Sequence, residues 1–467
     1  MYFSLEKNGL DIQTFAKFTE GKCPSLTESA PLAYGISTDS RTAKAGDVFF
    51  ALRGENFDGH RFMESAQKEG CVFAVAEYIP ENCTLPCILV NDTTKALGAF
   101  ARSYKKIFHP LTLAVTGSVG KTTTKQFIFS VLNTKYETNV TKGNFNNEIG
   151  LPLTMLGLNA EHRALLLEMG MNHKGEISYL SRLAEPDIAV ITNIGSAHLE
   201  NLGSREGIRD AKVEIIEGMS QGGILILNGD EPLLENLKAE GLTKIYIGTE
   251  NENLTYSAKN IRTEDDHMLF DIAFHGTDFL RDVRINAIGK HNIYNALIGA
   301  VCGLLLGVSE ENIRKGLLEF VSADMRQSIS RKNGMTVIED CYNASPESMR
   351  AGLNVLLHTA KTENLRPVAV LGDMRELGSI SEQAHRSVGT YAAQIGIQKL
   401  ITFGIDAKKI AEGAVEAGMP KENIFIIEDT ENAENAAYQL KTILQEGDAV
   451  LFKASRAVAL ERLIRLL

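Results

Sequence analysis

The sequence predicts an α/β protein of three domains: a small α/β domain over residues 1–104, a central domain with a largely parallel sheet over 105–322, and a Rossmann-like doubly wound domain over 323–467. Length is the first observation behind this, because 467 residues exceed the roughly 250 to 300 at which one core stops growing. The second is a repeated order of apolar strand, polar or glycine loop and helix, which predicts parallel strands covered by helices. The third is that this order begins anew in the last third of the chain.

The first domain mixes short strand signals, such as Asp47-Val48-Phe49-Phe50-Ala51-Leu52, with turn clusters such as Gly54-Glu55-Asn56-Phe57-Asp58-Gly59. In the central domain the strands are expected over 111–115, 164–167, 188–192 and 224–227, and in the last over 337–338, 368–371, 400–403, 424–427 and 449–452. Ligands of open parallel sheets sit beyond the carboxyl ends of strands, so the residues just after each run are the candidates for chemistry.

Composition narrows the partners. Hydrophobic residues at 44% and charged residues at 23% are those of a soluble globular protein. A net charge of -11 disfavours a nucleic-acid backbone as main partner, since neutralising phosphates takes clustered Lys and Arg, so an anionic ligand must be held locally. The start Met1-Tyr2-Phe3-Ser4-Leu5-Glu6-Lys7 lacks the form of a signal peptide and no apolar run reaches spanning length, which sets the expectation of a cytoplasmic protein without membrane contact. Six scattered cysteines argue against a disulfide framework; Cys83 and Cys87 lack a second pair and have Pro86 between them, so free thiols are the reading and a zinc pair the alternative.

The strongest motif is Thr116-Gly117-Ser118-Val119-Gly120-Lys121-Thr122-Thr123-Thr124, between a predicted strand and a helix-like stretch. It reads as a phosphate-binding loop: glycines let backbone N–H groups wrap an anion, Lys121 adds charge for β and γ phosphates, and the Thr122 hydroxyl suits Mg²⁺. The general motif has glycine where this chain has Val115, and a plain glycine turn is the alternative.

Other strand-end residues carry two readings each. Glu168 is a candidate ligand for a hard cation or a solvated strand-end acid. His198 is a ligand or a structural histidine. Asn292 and Asn295, three apart at a helix start, face one ligand together or serve as a cap and a solvated amide. Arg326 is a stabiliser of phosphoryl transfer or a surface charge. Asp340 follows the strand 337–338, with a ribose or phosphate contact the functional reading there, and the stretch from Asn343 to Met349 resembles a helix cap with Pro346 in the first turn. The loop Gly372-Asp373-Met374-Arg375-Glu376-Leu377-Gly378 is rich in donors and acceptors.

In this order these segments resemble the Mur ligases over nearly the whole chain. The most discriminating are Gly143-Asn144-Phe145-Asn146-Asn147-Glu148-Ile149-Gly150-Leu151-Pro152, Glu168-Met169-Gly170-Met171-Asn172-His173, Ala197-His198-Leu199-Glu200, Asp340-Cys341-Tyr342-Asn343-Ala344-Ser345-Pro346 and the Gly372–Gly378 loop. The family's shortened phosphate loop accounts for Val115. The resemblance implies a UDP-sugar domain first, an ATPase-like domain with the phosphate loop second and a Rossmann-like ligase domain last. It implies that Gly117, Ser118, Val119, Gly120, Lys121, Thr122 and Thr123 hold ATP, that Thr122, Glu168, His198 and, as a carbamate, Lys212 serve Mg²⁺, and that Asn292, Asn295, Arg326 and Asp340 clasp the nucleotide. Lys212, in Ala211-Lys212-Val213-Glu214-Ile215, falls where related ligases carry a carbamylated lysine; a plain ammonium on phosphate or solvent is the other reading. Asp39, Ser40 and Arg41 in Thr38–Arg41, with Asn56–His60, resemble the UDP-sugar contacts, and Asn146, Asn147, Asn343, Ser345 and Asp373 fall among substrate-binding positions. Ala454 departs from the family's usual glycine beside Ser455.

The implied reaction joins D-alanyl-D-alanine to UDP-N-acetylmuramoyl-tripeptide through an acyl phosphate, in a monomer. Lys121, Glu168, His198, Lys212 and Arg326 are the expected catalytic set, acting by position and charge rather than as nucleophiles. The rivals are the preceding ligase that adds the third amino acid, folylpolyglutamate synthase, and a phosphate-loop nucleotide switch.

Overall fold

The computed structural model describes residues 2–5, 9–24, 31–54, 56–251, 254–264 and 267–467; Met1, Glu6 and Lys7 of the start and Glu55 of the first turn cluster lie outside the described residues. The first sheet has the strand order Tyr2–Ser4, Gly35–Ser37, Asp47–Phe50, Phe73–Ala76 and Cys87–Leu89, parallel except for the first strand. Helix Thr93–Phe108 follows, capped by the Asp92 carboxylate, which accepts from Lys95 N at 2.9 Å. Its apolar positions Ala96, Leu97, Phe100, Ala101 and Tyr104 recur at helical spacing and are buried.

This helix belongs to two units. Phe100 stacks on Phe15 at 4.4 Å between ring centroids, while the buried Lys105 ammonium donates to the Ala184 carbonyl of the next unit. One hydrophobic cluster runs from Leu5 through Phe100 and Leu156 to Leu234. A boundary after residue 104 therefore falls inside a helix, between residues that pack to either side.

The central sheet runs Thr138–Val140, Ala164–Glu168, Leu111–Thr116, Ile188–Ile191, Ile224–Asn228, Thr243–Gly248 and Tyr256–Glu264, all parallel, and ends in the antiparallel strands His267–Phe274 and Thr277–Ile285. Both faces of its middle are covered: Leu165 and Leu167 point into the shared core, Leu166, Leu113 and Val115 into a second cluster under helix Lys290–Leu305. Continuous apolar runs result, as burial on two faces requires. The last strand escapes such a reading because in Thr277–Ile285 only Leu280, Val283 and Ile285 are buried.

The last sheet has the order Ser328–Lys332, Met335–Glu339, Asp448–Lys453, Arg366–Gly372, Lys399–Phe403 and Ile424–Ile427, parallel apart from the first, with a separate cluster on each face. Insertion of the final strand next to Met335–Glu339 brings its last residue, Lys453, together with Asp340, the residue after the other. Among the described residues no helix is long and apolar enough to cross a membrane.

Candidate active site

Strand Leu111–Thr116 delivers the chain to Gly117, and helix Lys121–Leu132 begins four residues later. Gly117 has φ 149°, and a Cβ there would lie 1.9 Å from Thr192 Oγ1, so only glycine fits; Gly120 has φ 83°, with Asn295 Oδ1 3.0 Å from the place of its Cβ. The loop is held from the neighbouring strand end. Ser118 N donates to Asn193 O at 3.1 Å, Val119 N to Asn193 Oδ1 at 2.9 Å, and Thr192 Oγ1 to Val119 O at 2.7 Å. Two loop amides expected to face an anion are thus taken by Asn193, Ser118 N by its backbone carbonyl and Val119 N by its side-chain amide oxygen. The amides of Lys121, Thr122 and Thr123 precede the first intrahelical bond, Thr124 N to Gly120 O at 2.8 Å, and are the donors that a helix N-terminus leaves outside its own ladder.

Glu168 ends strand Ala164–Glu168 and is 2% exposed, which excludes the solvated reading. Asn146 Nδ2 donates to its Oε1 at 3.0 Å. Its Oε2 lies 3.1 Å from Lys125 Nζ, an ion-pair distance outside hydrogen-bond alignment, so this buried oxygen has no hydrogen-bond donor. Burial pushes the carboxyl up, but Lys125, Arg326, Lys121 and the Asn146 amide outweigh it and hold it below the ordinary range. A hard cation at this loop finds oxygen donors in Glu168 Oε2 and the buried Thr122 hydroxyl. Among the described residues no three His, Cys, Asp or Glu side chains form a ready metal cluster, so substrate oxygens or a modified lysine would have to complete such a site.

Lys121 joins the candidates electrically. Its Nζ donates to Gly117 O at 2.7 Å; burial lowers its pKa, Glu168 and Glu376 raise it, and Arg326 lowers it. Lys212, 1% exposed in helix Arg205–Val213, is driven well below the usual lysine range by burial and then by the Lys121 charge, with no acid among the causes. Arg326 lies between Met325 and Gln327, both left-handed at φ 58° and 55°, and its guanidinium stacks 4.2 Å over the Tyr342 ring. Asn292 Nδ2 donates to Gln327 Oε1 at 3.2 Å, Asn295 Nδ2 to Asn292 Oδ1 at 3.4 Å, and Thr124 Oγ1 to Asn295 Oδ1 at 3.0 Å. The two asparagines are therefore 5% exposed links between the Arg326 turn and the phosphate-loop helix rather than caps.

The last unit also meets the segment that follows strand Ile188–Ile191. His198, left-handed at φ 65°, lies with Nδ1 2.6 Å from Glu376 Oε2, though outside hydrogen-bond alignment, and this contact first of all holds the Glu376 carboxyl low. Ser196 donates from N and Oγ to Glu347 Oε1 at 3.2 and 2.9 Å. Asp340 Oδ2 pairs with Lys453 Nζ at 2.7 Å, and that ammonium also donates to Asn343 O at 3.1 Å. The Ser345 hydroxyl caps helix Pro346–Thr362 in a capping box with Ser348, with proline in the first turn as expected. Asp373 is 3% exposed: burial raises its pKa, Ala407 N at 2.7 Å and Arg375 oppose that, and its carbonyl accepts from Ser455 N at 3.0 Å.

Matches to known families follow the same three units. Residues 33–105 match the Mur ligase family catalytic domain, 115–303 the Mur ligase middle domain and 325–456 the Mur ligase glutamate ligase domain. The chain is 38% identical over 464 residues to the UDP-N-acetylmuramoyl-tripeptide--D-alanyl-D-alanine ligase of Bacillus subtilis, covering 97% of each. It belongs to the Mur ligase family. A crystal structure of MurF from Acinetobacter baumannii superposes with a TM-score of 0.88 at 32% identity, covering 98% of both chains. MurF ligase from Thermotoga maritima in complex with ADP gives 0.80 at 30% identity, over 92% of this chain and 96% of that one.

As a Mur ligase the chain shows contacts that its sequence alone did not single out. Lys125 is the partner of Glu168, and its signal was available, since it lies one helical turn from Lys121. Asn193, Gln327 and Glu347 act through partners remote in sequence and carried no local signal. The Mur ligase motif residue Asn147 caps a turn, accepting from Gly150 N at 2.9 Å, while its neighbour Asn146 reaches Glu168. Ala454 in place of the family glycine is accommodated because its methyl faces Gly372, where a Cβ would come within 2.7 Å. In the first unit Arg41 pairs with Asp39 at 2.6 Å and is 86% exposed in its side chain, while Ser40 is buried. His60, in contrast, is consumed structurally: Nε2 accepts from Glu77 N at 2.8 Å, so the Nδ1 proton faces Asp58 at 2.7 Å.

Proposed function

We propose that this Mur ligase joins D-alanyl-D-alanine to UDP-N-acetylmuramoyl-tripeptide with ATP, giving the UDP-linked pentapeptide, ADP and phosphate. The observation that carries the mechanism is the buried carboxylate of Glu168, its Oε2 held by charge to Lys125, beside a glycine-shaped phosphate loop. In this reading Lys121 and the first-turn amides of its helix bind the β and γ phosphates, and Asn292, Asn295, Arg326 and Asp340 frame the nucleotide. The tripeptide carboxylate oxygen bonds to the γ phosphorus as the bond to ADP breaks. The free amine of the dipeptide then bonds to the acyl carbon, phosphate departs, and the nitrogen loses a proton. Mg²⁺, held through Thr122, Glu168 and His198, supplies neutralisation of phosphate charge when bound. Asp39, Ser40 and Arg41 take the UDP-sugar; Asn146, Asn147, Asn343, Ser345 and Asp373 line the path of the peptide.

Lys212 supports a carbamate in the same reading: burial and the Lys121 charge favour loss of its proton, the free amine is a nucleophile for carbon dioxide, and the product is an anionic oxygen donor near cations. The enzyme acts as a cytoplasmic monomer. Phosphate release is the test. It is expected only with ATP, the UDP-muramoyl tripeptide and D-alanyl-D-alanine together; release with a free amino acid on the dipeptide acceptor would instead support the preceding ligase, and ATP turnover without either acceptor a nucleotide switch.

A further inference from the structure

We infer that Glu347 is a positioning residue that transmits docking of the C-terminal unit to the phosphate loop through Ser196, Gly195 and Ser118. The inference rests on the ligase reading for what the loop binds, and on geometry for the connection. Glu347 lies in the first turn of helix Pro346–Thr362, a turn fixed by the Ser345 capping box, yet its carboxylate crosses to another unit. There it accepts from Ser196 N at 3.2 Å and from Ser196 Oγ at 2.9 and 3.1 Å. The preceding residue continues the line, with Gly195 N donating to Ser118 Oγ at 2.9 Å.

Gly195 is the spacer of this relay. A Cβ on it would meet Ser118 Cβ at 3.2 Å and Glu347 Cδ at 3.3 Å, so carboxylate and loop serine press on one glycine from two sides. Ser196 and Ser118 are 8% and 7% exposed, and hydrogen bonds so shielded from water are more rigid than surface contacts. Upstream, the bonds from Thr192 and Asn193 already tie this segment to Ser118 and Val119. The His198 contact with Glu376 grips the far end of the segment but reaches no phosphate-loop atom. Glu347 thus leads from the last unit to Ser118 of the loop, while Gln327 leads through Asn292 and Asn295 to Thr124 on the helix behind it.

Its two properties act in opposite directions on a bound anion. The negative charge near the loop opposes nucleotide phosphates, whereas the hydrogen bonds hold Ser196, Gly195 and Ser118 in the shape that receives them. Substitutions separate the two. Calorimetry with ADP on the whole protein is expected to give a Kd raised about fivefold in Glu347→Ala, the size of one lost hydrogen bond, while Glu347→Gln, which keeps an acceptor and loses the charge, binds at least as tightly as the parent. Ser196→Ala is expected to weaken ADP less than Glu347→Ala and to add nothing in the Glu347→Ala background. Amide exchange at Ser196 should quicken in Glu347→Ala and stay slow in Glu347→Gln. ADP binding unchanged or tightened in Glu347→Ala would overturn the inference, as would equal losses in Ala and Gln variants. A parent protein without ADP affinity would refute the ligase reading instead, and the exchange rates would then decide the Glu347 contact alone.

Discussion

Lys453 Nζ lies 2.7 Å from Asp340 Oδ2 where two adjacent parallel strands end, with the residues 2% and 8% exposed. Replacing Lys453 by Met leaves a carboxylate buried without its cation. The expected cost is about 3 to 5 kcal/mol in the unfolding of the C-terminal unit. Lys453→Met with Asp340→Asn should recover part of it. Urea titration followed by a probe in that unit measures both.

Gly117→Ala should abolish nucleotide binding without needing any change in charge. The added carbon would overlap Thr192 Oγ1, and the Thr192 backbone nitrogen at 3.1 Å blocks relief by a rotamer change alone. ADP titration checks this, and the doubly substituted Gly117→Ala, Thr192→Ala protein should regain little.

Lys121→Ala should lower kcat/KM at least about 100-fold, as loss of a preorganised charge does. Thermal unfolding should move little, because the ammonium bonds only to loop carbonyls of Gly117 and Ser118. Parental turnover in this variant would refute the phosphate-loop role.

Lys105 gives a pH signature. Burial, partly offset by Glu185 and Asp187, brings its pKa down from 10.5 to about 8. Between about pH 8 and 10.5 the unfolded chain then binds the proton and the folded chain does not, so stability rises with pH across that window and its contribution is flat below it. Compared with Lys105→Met, the parent should gain about 2 to 3 kcal/mol from pH 8 to 10.5 at roughly 1.4 kcal/mol per unit. Equal pH slopes in paired urea titrations would show that the ammonium is not desolvated.

Lys212→Ala should lose most activity and recover part of it with acetate, a short carboxylate able to stand in for a carbamate. Mass spectrometry of labelled carbon dioxide trapped on Lys212 provides a direct check. Absence of both rescue and trapping would rule the carbamate out.

Strands buried on both faces were legible because double burial writes an unbroken apolar run, as in Leu111–Thr116 and Ala164–Glu168. Thr277–Ile285 was not, since one face meets water and its buried residues are spaced unevenly by irregular register. The turn from strand Leu111–Thr116 into helix Lys121–Leu132 was legible through glycines whose need is local. Asn193, by contrast, closes two of the loop's amides from 74 positions away in the chain, and nothing near it in sequence marks that. Asn292 and Asn295 were legible as a pair but not in their partner, because Gln327 depends on a left-handed turn in the linker.

The core shared across helix Thr93–Phe108 has a mechanical consequence. Phe15, Phe100 and Leu156 belong to one apolar cluster, so the first two units cannot swing apart without exposing it to water, whereas the last unit keeps clusters of its own. Parting the last unit from the other two would open none of these clusters, so the linker around Arg326 is where a hinge would cost least, with the first two units as a fixed anvil and the last as a jaw.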